Sequence, residues 1–196
     1  MVQKIQNRLL FIQPAFYLIF AFSVLIVPFR WILGWIISVF FHELCHYISL
    51  RLFQIPVYQI TIGAFGANIR TAELTAVQEI ICSLSGPLGS LLLLLLIRSF
   101  PYVSLCALCQ TFFNLLPIYP LDGGRVLRGG CVGIFGEYRG IQICKQISGL
   151  FLCVLFCCCL LLSLQYKLGI LPILLSLLII FRSIKIPCKD RDLIVQ

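Results

Sequence analysis

Two histidines occur in this chain of 196 residues, and they stand four apart: His42 and His46, in FHELCHY, with Glu43 directly after the first. On a helix, residues i and i+4 share a face, so both imidazoles can reach one Zn²⁺. Glu43 can then reach a water beside the metal without being a ligand. Chance placement of these residue types gives the HExxH arrangement about twice in ten thousand. A catalytic zinc takes three protein ligands and keeps one position open. With no third histidine in the chain, the third ligand must be a carboxylate or a thiolate. Asp122 is the candidate: it follows Pro117 and Pro120 and precedes Gly123 and Gly124, which let the backbone bend close to a partner. Cys45 lies inside the motif but would face the metal only with a different helix rotation, and it is discounted. The plain alternative is a polar cluster that packs helices together by hydrogen bonds, with Asp122 an ordinary turn aspartate.

The elements that must position these groups belong to a membrane protein. Hydrophobic residues make up 61% of the chain and charged residues 11%, with a mean hydropathy of +1.06. A soluble domain carries about a quarter charged residues, so a soluble enzyme, a disordered tail and a nucleic-acid-binding domain are poor readings. Apolar segments at about 9–29, 31–50, 78–97, 102–117, 148–165 and 168–182 read as spans. They make an all-α integral membrane protein, a six-helix bundle in a single domain over residues 1–196. The first two spans are separated at Arg30, the last two by a turn at Lys167. The basic start followed by a long apolar stretch reads as a first span, not a signal peptide.

The charge of +8 marks a membrane face, with no nucleic acid involved. With both termini cytoplasmic, that side holds Lys4, Arg8, Arg51, Arg70, Arg125, Arg128, Arg139, Lys145, Arg182, Lys185, Lys189 and Arg191, against Arg30, Arg98 and Lys167 opposite. Of the seven acids, Glu43 and Asp122 alone are expected in the membrane interior, where ionisable groups are expensive and functional by default. Most of the eleven cysteines lie in apolar stretches and read as small hydrophobes. Cys106 and Cys109 form a CxxC with no second pair, a weak metal or redox signal.

Two connections are more than linkers. Residues 55–71, with Val57, Tyr58, Ile60, Thr61 and Ile62 followed by Gly63 and Gly66, read as a short β-hairpin or re-entrant loop. An extended substrate could pair with Val57–Ile69 by strand addition, Gly66 and Asn68 being turn residues. Residues 117–130, PIYPLDGGRVLRGG, are expected not to form a continuous helix. Irregular backbone at membrane depth belongs where it lines a cavity or is buried in protein.

HELCH in the second span and NLLPIYPLDGGR at the end of the fourth resemble the site-2 protease family of intramembrane zinc metalloproteases, most closely its sporulation members. Asn114, Pro117, Pro120, Leu121, Asp122 and Gly123 match that family's second motif at its spacing. The resemblance implies one Zn²⁺ per chain, held by His42, His46 and Asp122, with Glu43 as catalytic acid/base. It makes Asn114, Pro117 and Pro120 the shapers of the substrate groove. It implies cleavage of a membrane-associated protein, a sporulation pro-sigma factor at the membrane surrounding the forespore. Relatives cleave anti-sigma factors or signal-peptide remnants, and some answer to inhibitory membrane regulators. Two departures stand out. Sporulation members usually carry a nucleotide-sensing CBS domain after the sixth span, and regulation by such a domain in cis is not expected here. The family's third-span motif reads Ser85-Gly86-Pro87-Leu88-Gly89-Ser90 in this chain, with Ser90 where Asn is common, which predicts the same helix packing with a weakened polar contact. A metal or ion transporter is the alternative from a different class; matched broken helices in two related halves are not visible. A proteolytically dead relative is a third reading.

Overall fold

The structure, a computed structural model, describes residues 10–63, 66–166, 171–185 and 194–195. Pro28 decides where the first two helices part. α1 (Pro14–Ile26) opens on a proline, which suits a first helical turn, and α2 runs Phe29–Leu52. Between them Val27 is extended (φ −99°, ψ 133°), because a residue that precedes proline is driven out of the α region. Arg30, expected to separate the helices, therefore lies within α2. The beginning of the expected first span is strand: β1 covers Leu10–Ile12.

α2 is turned inside out relative to a helix of a soluble protein. Its buried face is Gly34, Ser38, His42, His46 and Ser49, with Ile32 and Leu50. Phe29, Leu33, Phe40 and Ile48 are exposed. Lipid tails are as apolar as leucine, so helices in a membrane pack through small and polar residues and leave their large apolar ones outside. Gly34 shows the close approach this permits: a Cβ there would meet the backbone of Tyr102 at 2.9 Å.

β2 (Val57–Gly63) and β3 (Gly66–Thr71) pair antiparallel and are the inner strands of a four-stranded sheet, order β1-β2-β3-β4, with β4 at Ile194–Val195. β1 runs parallel to β2 along Ile60–Ile62, and β4 pairs with Ile69 and Arg70. Strand addition thus meets a flank already partnered along part of its length on both sides. The helices that follow are α3 (Ala76–Leu92, continued by a 3-10 turn over Leu93–Leu96), α4 (Pro101–Asn114), α5 (Asp122–Phe135), α6 (Glu137–Tyr166) and α7 (Leu171–Lys185). The turn expected at Lys167 lies outside the described residues.

Among the described residues, three stretches are long and apolar enough to cross a membrane: Phe29–Leu52, Ala76–Leu96 and Glu137–Gln165. α1, α4 and α7, with 13, 14 and 15 residues, are shorter than the roughly 20 that a crossing needs.

The chain divides into two compact units. Residues 1–74, 85–111 and 192–196 form the first, which holds the sheet, α1, α2 and most of α4. In its core Leu93, Val103 and Ala107 pack with Phe41, and hydroxyls close the polar gaps: Ser38 donates to Gln110 Oε1 (2.6 Å) and Ser104 to the Leu93 carbonyl (2.6 Å).

Residues 75–84 and 112–191 form the second unit, around Tyr119, Cys144, Leu127 and Ile141. Residues 117–130 are, as expected, not a continuous helix. The irregular backbone stops at Leu121, and α5 runs through both glycine pairs. Gly123 and Gly124 are required by packing: a Cβ on the first would collide with the Leu115 carbonyl, on the second with the backbone at Ile118–Tyr119. α6 also starts earlier than the span expected from residue 148, at Glu137, where Gly140 lies against the backbone of Cys131 and Val132. Among the charged residues, Arg125 and Arg128 are 1% and 6% exposed, and Glu79, 5% exposed, is a buried acid besides Asp122 that was not expected in the interior. Its carboxylate accepts from Arg128 at 2.7 Å and lies 3.9 Å from Arg125 Nε, as buried charges require partners.

Candidate metal centre

The four-residue spacing of His42 and His46 places both rings on the buried face of α2, where their planes stand nearly perpendicular (86°) and the two Nε2 atoms are 3.2 Å apart. Two nitrogens bound to one tetrahedral zinc at about 2.05 Å would be separated by about 3.3 Å, so the pair is already spaced for a shared metal.

The opposite edge of each ring faces a serine of α3. His42 Nδ1 lies 2.9 Å from Ser90 Oγ, and His46 Nδ1 lies 3.4 Å from Ser85 Oγ, whose hydroxyl also donates to the Cys45 carbonyl at 3.3 Å. When Nδ1–H donates to a hydroxyl, the lone pair of Nε2 is left for a metal, the usual division of labour at a ligating histidine. Ser90 therefore makes a polar contact to His42, and Ser85 makes a second to His46. α3 comes this close because Gly86 has no side chain. A Cβ there would collide with the imidazole of His46 and lie 2.9 Å from His42 Cε1. Gly89 does the same for Cys45, whose Sγ fills the space a Cβ would take; the thiol is spent on helix packing and is no ligand.

Asp122 is the first residue of α5 and is 2% exposed. The positive end of the helix dipole favours its negative charge there. Tyr119, in the turn before it, is fixed at both backbone groups: its N–H donates to Ser148 Oγ (3.2 Å) and its carbonyl accepts from Ser183 Oγ (2.8 Å). His42 and His46 in the first unit, and Asp122 in the second, are each buried and each offer one ligand atom. Two neutral imidazoles and one carboxylate suit Zn²⁺ and leave a fourth position open.

The remaining predicted residues are placed as follows. Glu43 is half-buried on α2, one residue on from His42. Asn114 closes α4 and is half-buried; Pro117 and Pro120 lie in the turn that leads to Asp122, with Pro120 buried after a cis Tyr119–Pro120 bond. Cys106 and Cys109 are free thiols, as are the other described cysteines.

Comparison with known proteins finds the following likenesses. Residues 72–156 match the description of peptidase family M50. The chain is 27% identical over 126 residues to a zinc metalloprotease of Methanocaldococcus jannaschii, across 57% of this chain and 37% of that protein. It thus spans little more than a third of that relative's length. Among solved structures, the site-2 protease of Methanocaldococcus jannaschii has a similar fold, with a TM-score of 0.67 at 24% identity over 100% of this chain and 95% of that one.

Proposed function

We infer that this chain is a member of peptidase family M50, the site-2 proteases, and hydrolyses peptide bonds of a membrane-associated protein. The observation that carries the reading is the buried His42–His46 pair, its Nε2 atoms 3.2 Å apart, on a chain whose sequence sets Glu43 beside His42 and supplies Asp122 as the third ligand. The zinc that the histidine pair fits supplies, when bound, polarisation of the scissile carbonyl and a lowered pKa for water. The chain's own residues do the rest. Glu43 takes the proton of the attacking water and delivers it to the leaving amine as the C–N bond breaks, general base and then general acid. Ser90 and Ser85 orient the two rings. Asn114 donates to the substrate backbone or to the developing oxyanion, and Pro117 and Pro120 shape the wall along which the substrate lies.

The membrane placement belongs to the same reading: six spans, both termini cytoplasmic, one zinc per chain. The positive-inside bias of the sequence supports it. A helical substrate hides its peptide bonds and has to be extended before attack. Among the described residues, β1 and β4 pair with only part of β2 and β3, and the rest of those flanks is where such a segment adds. The narrower substrate, a sporulation pro-sigma factor processed at the membrane around the forespore, rests on the resemblance of the paired motifs to sporulation members. Anti-sigma factors and signal-peptide remnants are the alternatives of the same class.

Glu43→Gln tests the mechanism. The variant should keep its metal and lose cleavage of a co-expressed membrane-associated pro-protein by about 100- to 10,000-fold, the range of a general acid–base contribution. Cleavage at the wild-type rate would overturn it.

A further inference from the structure

Two hydroxyls of α4 are buried and spent on backbone: Ser104 donates to the Leu93 carbonyl (2.6 Å) and Thr111 to the Pro87 carbonyl (3.4 Å). Gln110 on the same helix is different. It is half-buried, its Oε1 accepts from the Ser38 hydroxyl at 2.6 Å, and among the described residues its amide N–H donors have no partner. Unfilled donors are costly away from water. The neighbours Leu105, Phe112 and Phe113 are exposed, which suits this surface of α4 to lipid and not to water. A polar group in such a setting faces a cavity or marks a substrate path. Two directions from Gln110 lead to one place. Across to α2, its partner Ser38 stands one turn before His42, about 6 Å along the axis, on the buried face that carries both histidines. Along α4, Asn114 stands one turn after Gln110 on the same face, and Asn114 is the residue read above as a donor to the substrate.

We propose that Gln110 is a substrate-binding residue: its carboxamide, fixed at one end by Ser38, donates at the other to a backbone carbonyl of the extended substrate. A segment drawn out of helical form has carbonyls without partners, and each is costly in hydrocarbon until a donor meets it. Gln110 meets one at the level of Ser38, a turn away from the histidine pair. The contact is to backbone, so it holds a stretch of chain without selecting its side chains. The inference rests on the reading of this chain as a protease of membrane-associated proteins.

The experiment measures cleavage of fluorescently labelled β-casein by the full, zinc-loaded chain in detergent. A backbone contact has no sequence preference, so a loosely structured chain serves as the probe. Gln110→Met keeps the length of the side chain and removes its hydrogen bonds. It should raise KM about three- to tenfold, the size of one hydrogen bond. With kcat and zinc affinity unchanged, that pattern marks lost substrate binding. Ser38→Ala leaves the carboxamide in place but unanchored and should raise KM by less, about two- to fivefold. If Gln110 only packs α4 against α2, both variants lose stability while KM stays at the wild-type value, and that outcome overturns the proposal. A fall in zinc affinity in Gln110→Met overturns it too, since the side chain would then act through the metal. If Gln110→Met does not fold, Ser38→Ala decides: a raised KM with unchanged zinc affinity supports the proposal, and a wild-type KM overturns it. A wild-type protein that holds zinc and cleaves no β-casein sinks the protease reading itself, whereas cleavage indifferent to position 110 sinks this inference alone.

Discussion

The buried faces of α2 and α5 solve one problem in opposite ways. α2 buries small and weakly polar residues, with the two histidines as its costly groups, and each Nδ1 faces one hydroxyl. α5 buries Asp122, Arg125 and Arg128 within two turns and neutralises them with a charge from α3. Glycine lets both faces be approached closely, but by different neighbours. Gly86 of α3 leaves room for the imidazole side chains of α2, whereas Gly123 and Gly124 of α5 leave room for backbone. Side chains can give way to an intruding methyl group and backbone cannot, so the first region should be adjustable in ligand geometry and the second intolerant in fold.

That contrast can be broken by substitution. The largest effect is expected at Gly124→Ala, where the new Cβ would collide with the Ile118–Tyr119 peptide: folded protein should be lost, read as the failure to recover a monodisperse species in detergent. A well-folded Gly124→Ala would remove the distinction between the regions. Next, His46→Ala should leave the fold and abolish co-purified zinc, measured by metal analysis; full zinc retention would take His46 out of the ligand set. Gly86→Ala comes third. Its Cβ displaces the two imidazoles, so the fold should survive while zinc affinity falls about 10- to 100-fold, as for disturbed ligand supports. Ser90→Ala removes one hydrogen bond to His42 and should lie at the lower end, about tenfold in zinc affinity. Ser38→Ala is the smallest: it loses the bond to Gln110, about 1 kcal/mol of stability, with zinc affinity unchanged in the same titration.

What could be read from the sequence follows the same division. His42, Glu43 and His46 are near one another in the chain, and helix periodicity alone puts the histidines on one face. Asp122 could be singled out because it follows prolines and precedes glycines. Ser85 and Ser90 could not be assigned to the rings, since serines are common in membrane helices and their partners lie 39 and 48 residues away. The start of α5 was hidden for a related reason. Four glycines among its first nine residues argue against a helix locally, and the packing that overrides this depends on backbone at Leu115 and Ile118. The burial of Arg128 against Glu79 could not be read either, since charge statistics do not register an acid 49 residues earlier. Only the break at Val27–Pro28 had a local signal that was there to be used.

The sheet has a consequence for how the chain is made. β1 and β4 come from opposite ends of the described sequence and frame the same β2–β3 pair. Contacts so distant along a chain form late, because the closure entropy is spent before they reward it. On a ribosome, β2 and β3 can pair as soon as both have emerged, but β4 is synthesised after all of α3–α7. The edge beside Ile69 and Arg70 is therefore uncovered throughout insertion of the helices. A ribosome stalled before Ile194 would hold a chain with that edge still open to any other extended strand.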